Sequence, residues 1–97
     1  MPRQFWVYIL ATHKNGTLYT GVTNNLLRRL YEHQSESVLG FTTRYQVKRL
    51  VWYEEHATAD HAIAREKAIK TWKRSWKIDL IEESNPEWFD LGRLLSR

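Results

Sequence analysis

The stretch Phe5-Trp6-Val7-Tyr8-Ile9-Leu10-Ala11, the segment Thr12-His13-Lys14-Asn15-Gly16 and the run Thr17-Leu18-Tyr19-Thr20-Gly21-Val22-Thr23 decide the fold. Two short apolar runs, each carrying a tyrosine, flank a turn-rich segment. Asn15-Gly16 suits the turn, because the positive φ of a tight hairpin is cheap for Gly and tolerable for Asn. The pattern predicts a β-hairpin with strands over about 5–11 and 17–23. Period-two alternation puts Trp6, Tyr8 and Leu10 on one face of the first strand and Phe5, Val7 and Ile9 on the other. Both faces are apolar, so both are expected to be covered, and the strand should be central in its sheet.

Outward from the hairpin, Gly21 is expected to let the chain leave the second strand, and Thr23 to Asn25 offer capping side chains. Leu26-Leu27-Arg28-Arg29-Leu30-Tyr31-Glu32-His33 has helical spacing, with a helix starting near Asn25. Leu26, Leu30 and His33 fall at i, i+4 and i+7, and Arg29 shares their side. A cation and an imidazole there need partners. A second helix, capped by Thr58 or Asp60, should run to about Trp72, with an apolar stripe through Ala62, Ile63, Ile69, Trp72 and Trp76. Glu66 sits within that stripe. A carboxylate facing a core requires a cation, a hydrogen-bonded site or a metal.

Residues 35–45 read as a loop and Lys48-Arg49-Leu50-Val51-Trp52-Tyr53-Glu54 as a third, half-buried strand. A further helix is expected from about Lys73 to Glu83, stopped by Asn85-Pro86, after which Trp88-Phe89 and Leu91 fold back as an apolar anchor. The chain is therefore expected to be α/β of the α+β type: a small three-stranded, mainly antiparallel sheet flanked by helices in the order β-β-α-β-α-α, with residues 1–97 as one domain. At 97 residues, 42% hydrophobic, a single modest core is what the composition allows. No run approaches the ~18 apolar residues of a membrane span, no signal-peptide pattern opens the chain, and there are no cysteines, so a cytoplasmic protein without membrane contact is expected.

Charge is uneven. Residues 1–77 carry 13 Lys and Arg against 6 Asp and Glu, whereas residues 78–97 carry 2 against 5. Arg65, Lys67, Lys70, Lys73, Arg74 and Lys77 make a helical surface suited to phosphates, joined by Arg44, Lys48 and Arg49 near the third strand; a solvated helical face is the plain alternative. His13, His56 and His61 have no ligand-like spacing and are expected at the surface, and the five tryptophans mostly in the core.

Tyr8, Tyr19-Thr20-Gly21, the Asn25-Leu26 helix start, Arg29, His33 and the helical Glu66 together resemble the GIY-YIG nuclease superfamily. More narrowly, Leu18-Tyr19-Thr20-Gly21-Val22-Thr23, Arg28-Arg29-Leu30-Tyr31-Glu32-His33 and Ala64-Arg65-Glu66-Lys67 resemble its small single-domain bacterial members of uncharacterised role. The resemblance covers about Phe5 to Trp88. Trp6 stands in place of the Gly of the first triplet, Thr20 in place of the Ile of the second, and Val22 where repair-type members carry lysine. No clear counterpart is seen of the asparagine that some members place beyond the glutamate.

The resemblance implies a metal-dependent endonuclease acting on DNA phosphodiesters, in repair or on structured DNA, with Tyr8, Tyr19, Arg29, His33 and Glu66 as catalytic residues converging on one concave site. A catalytically silent nucleic-acid binding module on the same scaffold is the alternative. Residue chemistry fits the first reading: Glu66 offers a hard oxygen ligand for Mg²⁺ or Mn²⁺ and Arg29 a planar fork for the scissile phosphate, with no small-molecule cofactor expected. The resemblance implies that one tyrosine deprotonates or positions water while the other orients the phosphate. Tyr19 is the first choice as base, although a phenol titrating near 10 needs a nearby cation to serve. His33 occupies a position that other members fill with His or Tyr and can take or relay the proton. Structural competitors are strand tyrosines with satisfied hydroxyls, an Arg29–His33 helix pair, and a buried Glu66–Arg29 ion pair.

Overall fold

The apolar run at the start of the chain forms β1 (Phe5–Ala11), the middle strand of a three-stranded sheet in the order β2-β1-β3 in the computed structural model, which describes residues 4–34 and 46–95. Both pairings are antiparallel. Strand β2 (Leu18–Thr23) sets Gly21 opposite Tyr8 and Tyr19 opposite Leu10, and β3 (Arg49–His56) sets Tyr53 opposite Tyr8. Around the sheet lie α1 (Leu26–Gln34), α2 (Ala59–Thr71), α3 (Arg74–Ser84) and a single turn, α4 (Gly92–Leu95). The order is the expected one with α4 added. The loop expected over 35–45, and Arg44 within it, lie outside the described residues.

The hairpin turn works differently from the simplest expectation. Asn15 takes the positive φ, at 62°, and the Gly16 amide donates to the His13 carbonyl at 2.9 Å. Gly16 is needed for room, since a Cβ there would collide with the Thr12 hydroxyl. The turn is clasped from a distance by Arg74 at the start of α3, which donates to the Asn15 and Gly16 carbonyls at 2.7 and 2.5 Å.

Alternation along β1 sorts the core into two layers. Val7, Ile9 and Ala11 pack with Ala62 and Ile69 of α2, Ile81 of α3 and Trp88, whereas Tyr8 and Leu10 pack with Leu26 and Leu30 of α1, Val47 and Leu50. Trp6, on the second face, meets Tyr53 edge-on at 6.0 Å. In β3, Leu50, Val51 and Trp52 are all buried, which corrects the half-buried expectation. The cause is a register shift: Ile9 pairs with Trp52 but Leu10 with Leu50, so the extra Val51 bulges and both covering layers claim side chains from one short run. The outer edge of β3 is in turn covered by the C-terminal segment, where the Leu91 amide donates to the Leu50 carbonyl at 2.8 Å and the Asn85 side chain to the Val51 carbonyl at 3.1 Å.

Three expected core residues are outside. Ile63 and Trp76 are 40% and 50% exposed. The buried stripe of α2 is Ala62, Glu66 and Ile69, with Ile63 a further ~100° round the helix, and extended backbone at Trp72 and Lys73 restarts the helical phase before Trp76. Trp88 anchors the C-terminus as expected, but Phe89 beside it faces solvent. Thr58 is the cap of α2, accepting from the His61 amide at 3.3 Å.

Candidate active site

Tyr8 lies at the centre of the cluster because β1 is central and α1 crosses the face on which its ring stands. The Asn25 side chain caps α1 through the Arg28 amide at 3.1 Å, and that fixed start brings Arg29 and His33, one turn apart, over the same tyrosine. The Tyr8 hydroxyl is 3.2 Å from His33 Nε2, and Arg29 Nε donates to it at 3.4 Å. Arg29 and His33 thus meet on Tyr8, and the simple helix pair is not the arrangement adopted. Tyr19 completes the group: its ring centroid is 6.3 Å from that of Tyr8 and 5.6 Å from that of His33, and its side chain joins the hydrogen bonding of Tyr8 and Arg29.

Gly21 has a part that strand-exit reasoning missed. It sits inside β2 opposite Tyr8, and a Cβ there would lie 2.5 Å from the Tyr8 hydroxyl oxygen. The glycine is clearance for the tyrosine ring. Glu32 was also missed: it accepts from Arg29 Nη1 at 3.2 Å, while Nε is turned to Tyr8. An Arg followed three residues later by Glu on a helix is the signal that could have found it.

Burial pushes the Tyr8 hydroxyl up to about 12, outweighing the opposing hydrogen bond from Arg29. The same hydrogen bond holds the Arg29 guanidinium still more firmly protonated. His33 is shifted down, first by burial and then by the Arg29 charge, with Glu32 pulling the other way. The imidazole is therefore neutral at neutral pH. Arg29 can only donate, so the Tyr8 hydroxyl accepts from it, while the direction of the Tyr8–His33 hydrogen bond follows the imidazole tautomer. Tyr8 is 1% exposed, so a ligand meets the partly open Arg29 and Tyr19 first.

Glu66 stands apart from these four. Its helix packs on the Val7 and Ile9 face, the reverse of the Tyr8 face. Arg65 on that helix is turned to β3, donating to Glu54 at 3.1 Å; Glu66, ~100° further round, is turned to the β2 side. The structure brings Tyr8, Tyr19, Arg29 and His33 together, and Glu66 comes from a helix of the other layer. Glu66 is buried and its partner is Lys70 at 2.6 Å, which replaces the expected pairing with Arg29. As donor chemistry, one carboxylate with no group of three or more His, Asp or Glu among the described residues fits a hard, largely hydrated cation such as Mg²⁺ or Mn²⁺, not a caged zinc.

The expected basic face is broken up. Arg65 is held by Glu54 and lies over Trp72, Lys70 is held by Glu66, and Arg74 clasps the hairpin, while Lys67 and Lys73 are exposed and Lys77 half-buried. Lys48 and Arg49 are half-buried at the start of β3, with Arg49 donating to the Trp88 carbonyl at 3.1 Å. His56 is half-buried against Glu54 at 2.7 Å, whereas His13 and His61 are exposed as expected. Asn85 is a buried asparagine beyond the glutamate, but its amide is occupied in joining Val51 to Phe89.

The tyrosine pair on adjacent strands stands with arginine and histidine from the following helix in a chain whose residues 4–79 match the GIY-YIG catalytic domain family: the chain belongs to the GIY-YIG family, a nuclease-type catalytic domain. Within it the chain is similar to UPF0213 proteins. One from Staphylococcus saprophyticus is 33% identical over 80% of this chain and 94% of its own length, and one from Bacillus pumilus is 37% identical over 84% and 83%. The solution structure of a UPF0213 protein from Bacillus halodurans superposes with a TM-score of 0.57 at 27% identity, covering 94% of this chain and 96% of that one. No helix among the described residues is long and apolar enough to cross a membrane.

Proposed function

We propose that the chain is a divalent-metal-dependent endonuclease that hydrolyses DNA phosphodiester bonds, with structured DNA or DNA under repair as its substrate. The observation that carries this reading is the Tyr8 hydroxyl shared between Arg29 and neutral His33, with Tyr19 against both rings. Arg29 neutralises charge on the phosphoryl oxygens as water adds to phosphorus and the bond to the leaving oxygen breaks. Tyr19, the accessible tyrosine, orients the water. Tyr8, too buried and too weak an acid to ionise, is a positioning residue that holds Arg29; the proton the water loses is relayed through the Tyr19 and Tyr8 hydroxyls, each giving one proton as it takes one, to neutral His33. Glu66, whose partner Lys70 is exposed, would hold Mg²⁺ or Mn²⁺, and the metal would supply charge stabilisation for the phosphate.

The alternative, a silent binding module, is favoured by one observation: the Glu66 carboxylate is already paired and faces the opposite layer. A cleavage assay on single-stranded, flapped and branched DNA with Mg²⁺ or Mn²⁺ separates the two. The nuclease reading expects activity that falls by 100-fold or more in Arg29→Ala, on the order of one lost charge-stabilising group, and that vanishes in Glu66→Gln. Equal activity in wild type and both variants, or none in wild type under any of these conditions, refutes it.

A further inference from the structure

We infer that the cleft between the start of β3 and α4 is a second nucleic-acid subsite, which takes one unpaired nucleotide of a substrate strand by its phosphate and its base. The inference rests on the nuclease reading and adds a place on the substrate path. Two cavities adjoin there, of about 350 and 390 Å³, and share Arg49, Asp90 and Arg93 as walls.

The first cavity is polar in character, with Lys48, Arg49 and Arg93 set among Gln34 and Gln46. Among the described residues its one acid is Asp90, whose Oδ1 accepts from the Leu50 and Gly92 amides at 3.3 and 3.0 Å, which offsets part of its charge. Arg49 is oriented by the Trp88 carbonyl and keeps further donors to offer. Among the described residues three cations face one partly offset carboxylate, a balance that suits a phosphate, and two of the cations are guanidinium forks.

The second cavity is walled by Phe89 and Leu94, and Phe89 is 66% exposed. That exposure is not slack in the chain: the Phe89 amide donates to Asn85 Oδ1 and its carbonyl accepts from Asn85 Nδ2, both at 3.0 Å. An aromatic ring facing water from a fixed stretch of backbone, beside an anion pocket, suits stacking, and a lone ring stacks on a base only when that base is unpaired. Gln34, at the phosphate end of the cleft, and His33 of the tyrosine cluster are both carried by the last turn of α1.

The test is metal-free fluorescence anisotropy with labelled oligo-dT about 12 nucleotides long, using wild type, Phe89→Ala and Arg93→Ala. Both side chains are exposed and outside the tyrosine cluster, so the fold is spared. Phe89→Ala should weaken binding about fivefold or more, and Arg93→Ala should reduce the salt slope by about one. Duplex of the same length should not respond to Phe89→Ala. Wild-type affinity in both variants overturns the subsite. Free dTMP or inorganic phosphate competing as strongly as the oligonucleotide makes the cleft a free-ligand site and also overturns it. Wild-type cleavage against Arg29→Ala judges the nuclease reading separately: cleavage with unaltered variant binding removes only the subsite, and variant-sensitive binding without cleavage removes only the nuclease.

Discussion

Gly21→Ala probes the packing on which the tyrosine cluster depends. A Cβ at this position would lie 2.5 Å from the Tyr8 hydroxyl oxygen, 2.6 Å from its Cζ and 3.0 Å from Tyr19 Cε1. Real contacts of this kind are seldom below 3.4 Å, so the ring has to move. It has little room, being enclosed with Leu26, Leu30 and Leu50 and tethered at its hydroxyl by His33 and Arg29. Alanine in a strand is otherwise favoured over glycine by roughly 0.5–1 kcal/mol, while overpacking a buried site costs about 1–3 kcal/mol and each lost hydrogen bond about 0.5–1.5 kcal/mol. The clash wins, with a net loss of about 1–3 kcal/mol. At about 4–8 °C per kcal/mol for a domain of this size, thermal unfolding followed by circular dichroism reads it easily. The same substitution in a Tyr8→Leu background, where the side chain is too short to cross position 21, should cost less than about 0.5 kcal/mol, and the difference is the coupling between the two sites. An unchanged or raised Tm for Gly21→Ala in the wild-type background would refute the assignment of this glycine as clearance for Tyr8.

Two more outcomes follow from the same geometry. His33 binds its proton less readily folded than unfolded, so stability is full above its unfolded value near 6.5 and declines as pH falls toward the lowered folded value, with a slope of at most about 1.4 kcal/mol per pH unit. Denaturant melts between pH 7 and 5 should show this slope in wild type and a flatter one in His33→Gln; identical slopes would remove the neutral-histidine assignment. Arg74→Ala should loosen the hairpin turn by at most about 1 kcal/mol, since Arg74 is exposed, and accelerate amide exchange at Gly16, with unchanged exchange counting against the clasp.

Much of the fold was legible along the chain because its signals are local. Alternation of apolar residues in β1 announces a strand covered on both faces, and the structure places it between β2 and β3. Leu26, Leu30 and His33 are buried together because a helix brings i, i+4 and i+7 to one side. The family, too, could be read from the spacing of Tyr8, Tyr19-Thr20-Gly21, the Asn25-Leu26 helix start, Arg29, His33 and Glu66.

What the sequence alone determined is thus the strand, turn and helix identities, the family, and the residue types from which a site is built. Tertiary structure alone decided how those residues meet. The bulge at Val51, the exposure of Phe89, the Arg74 clasp and the use of Gly21 as clearance all involve contacts between segments distant in sequence, which no local period encodes. The same holds for Glu66. Its place in the α2 stripe predicts burial, but which face of the sheet receives that helix depends on how the chain crosses from β3 to α2, and the crossing sets α2 on the Val7 and Ile9 layer, the reverse of the Tyr8 layer. Burial follows from periodicity within one element, whereas partnership follows from the packing of several.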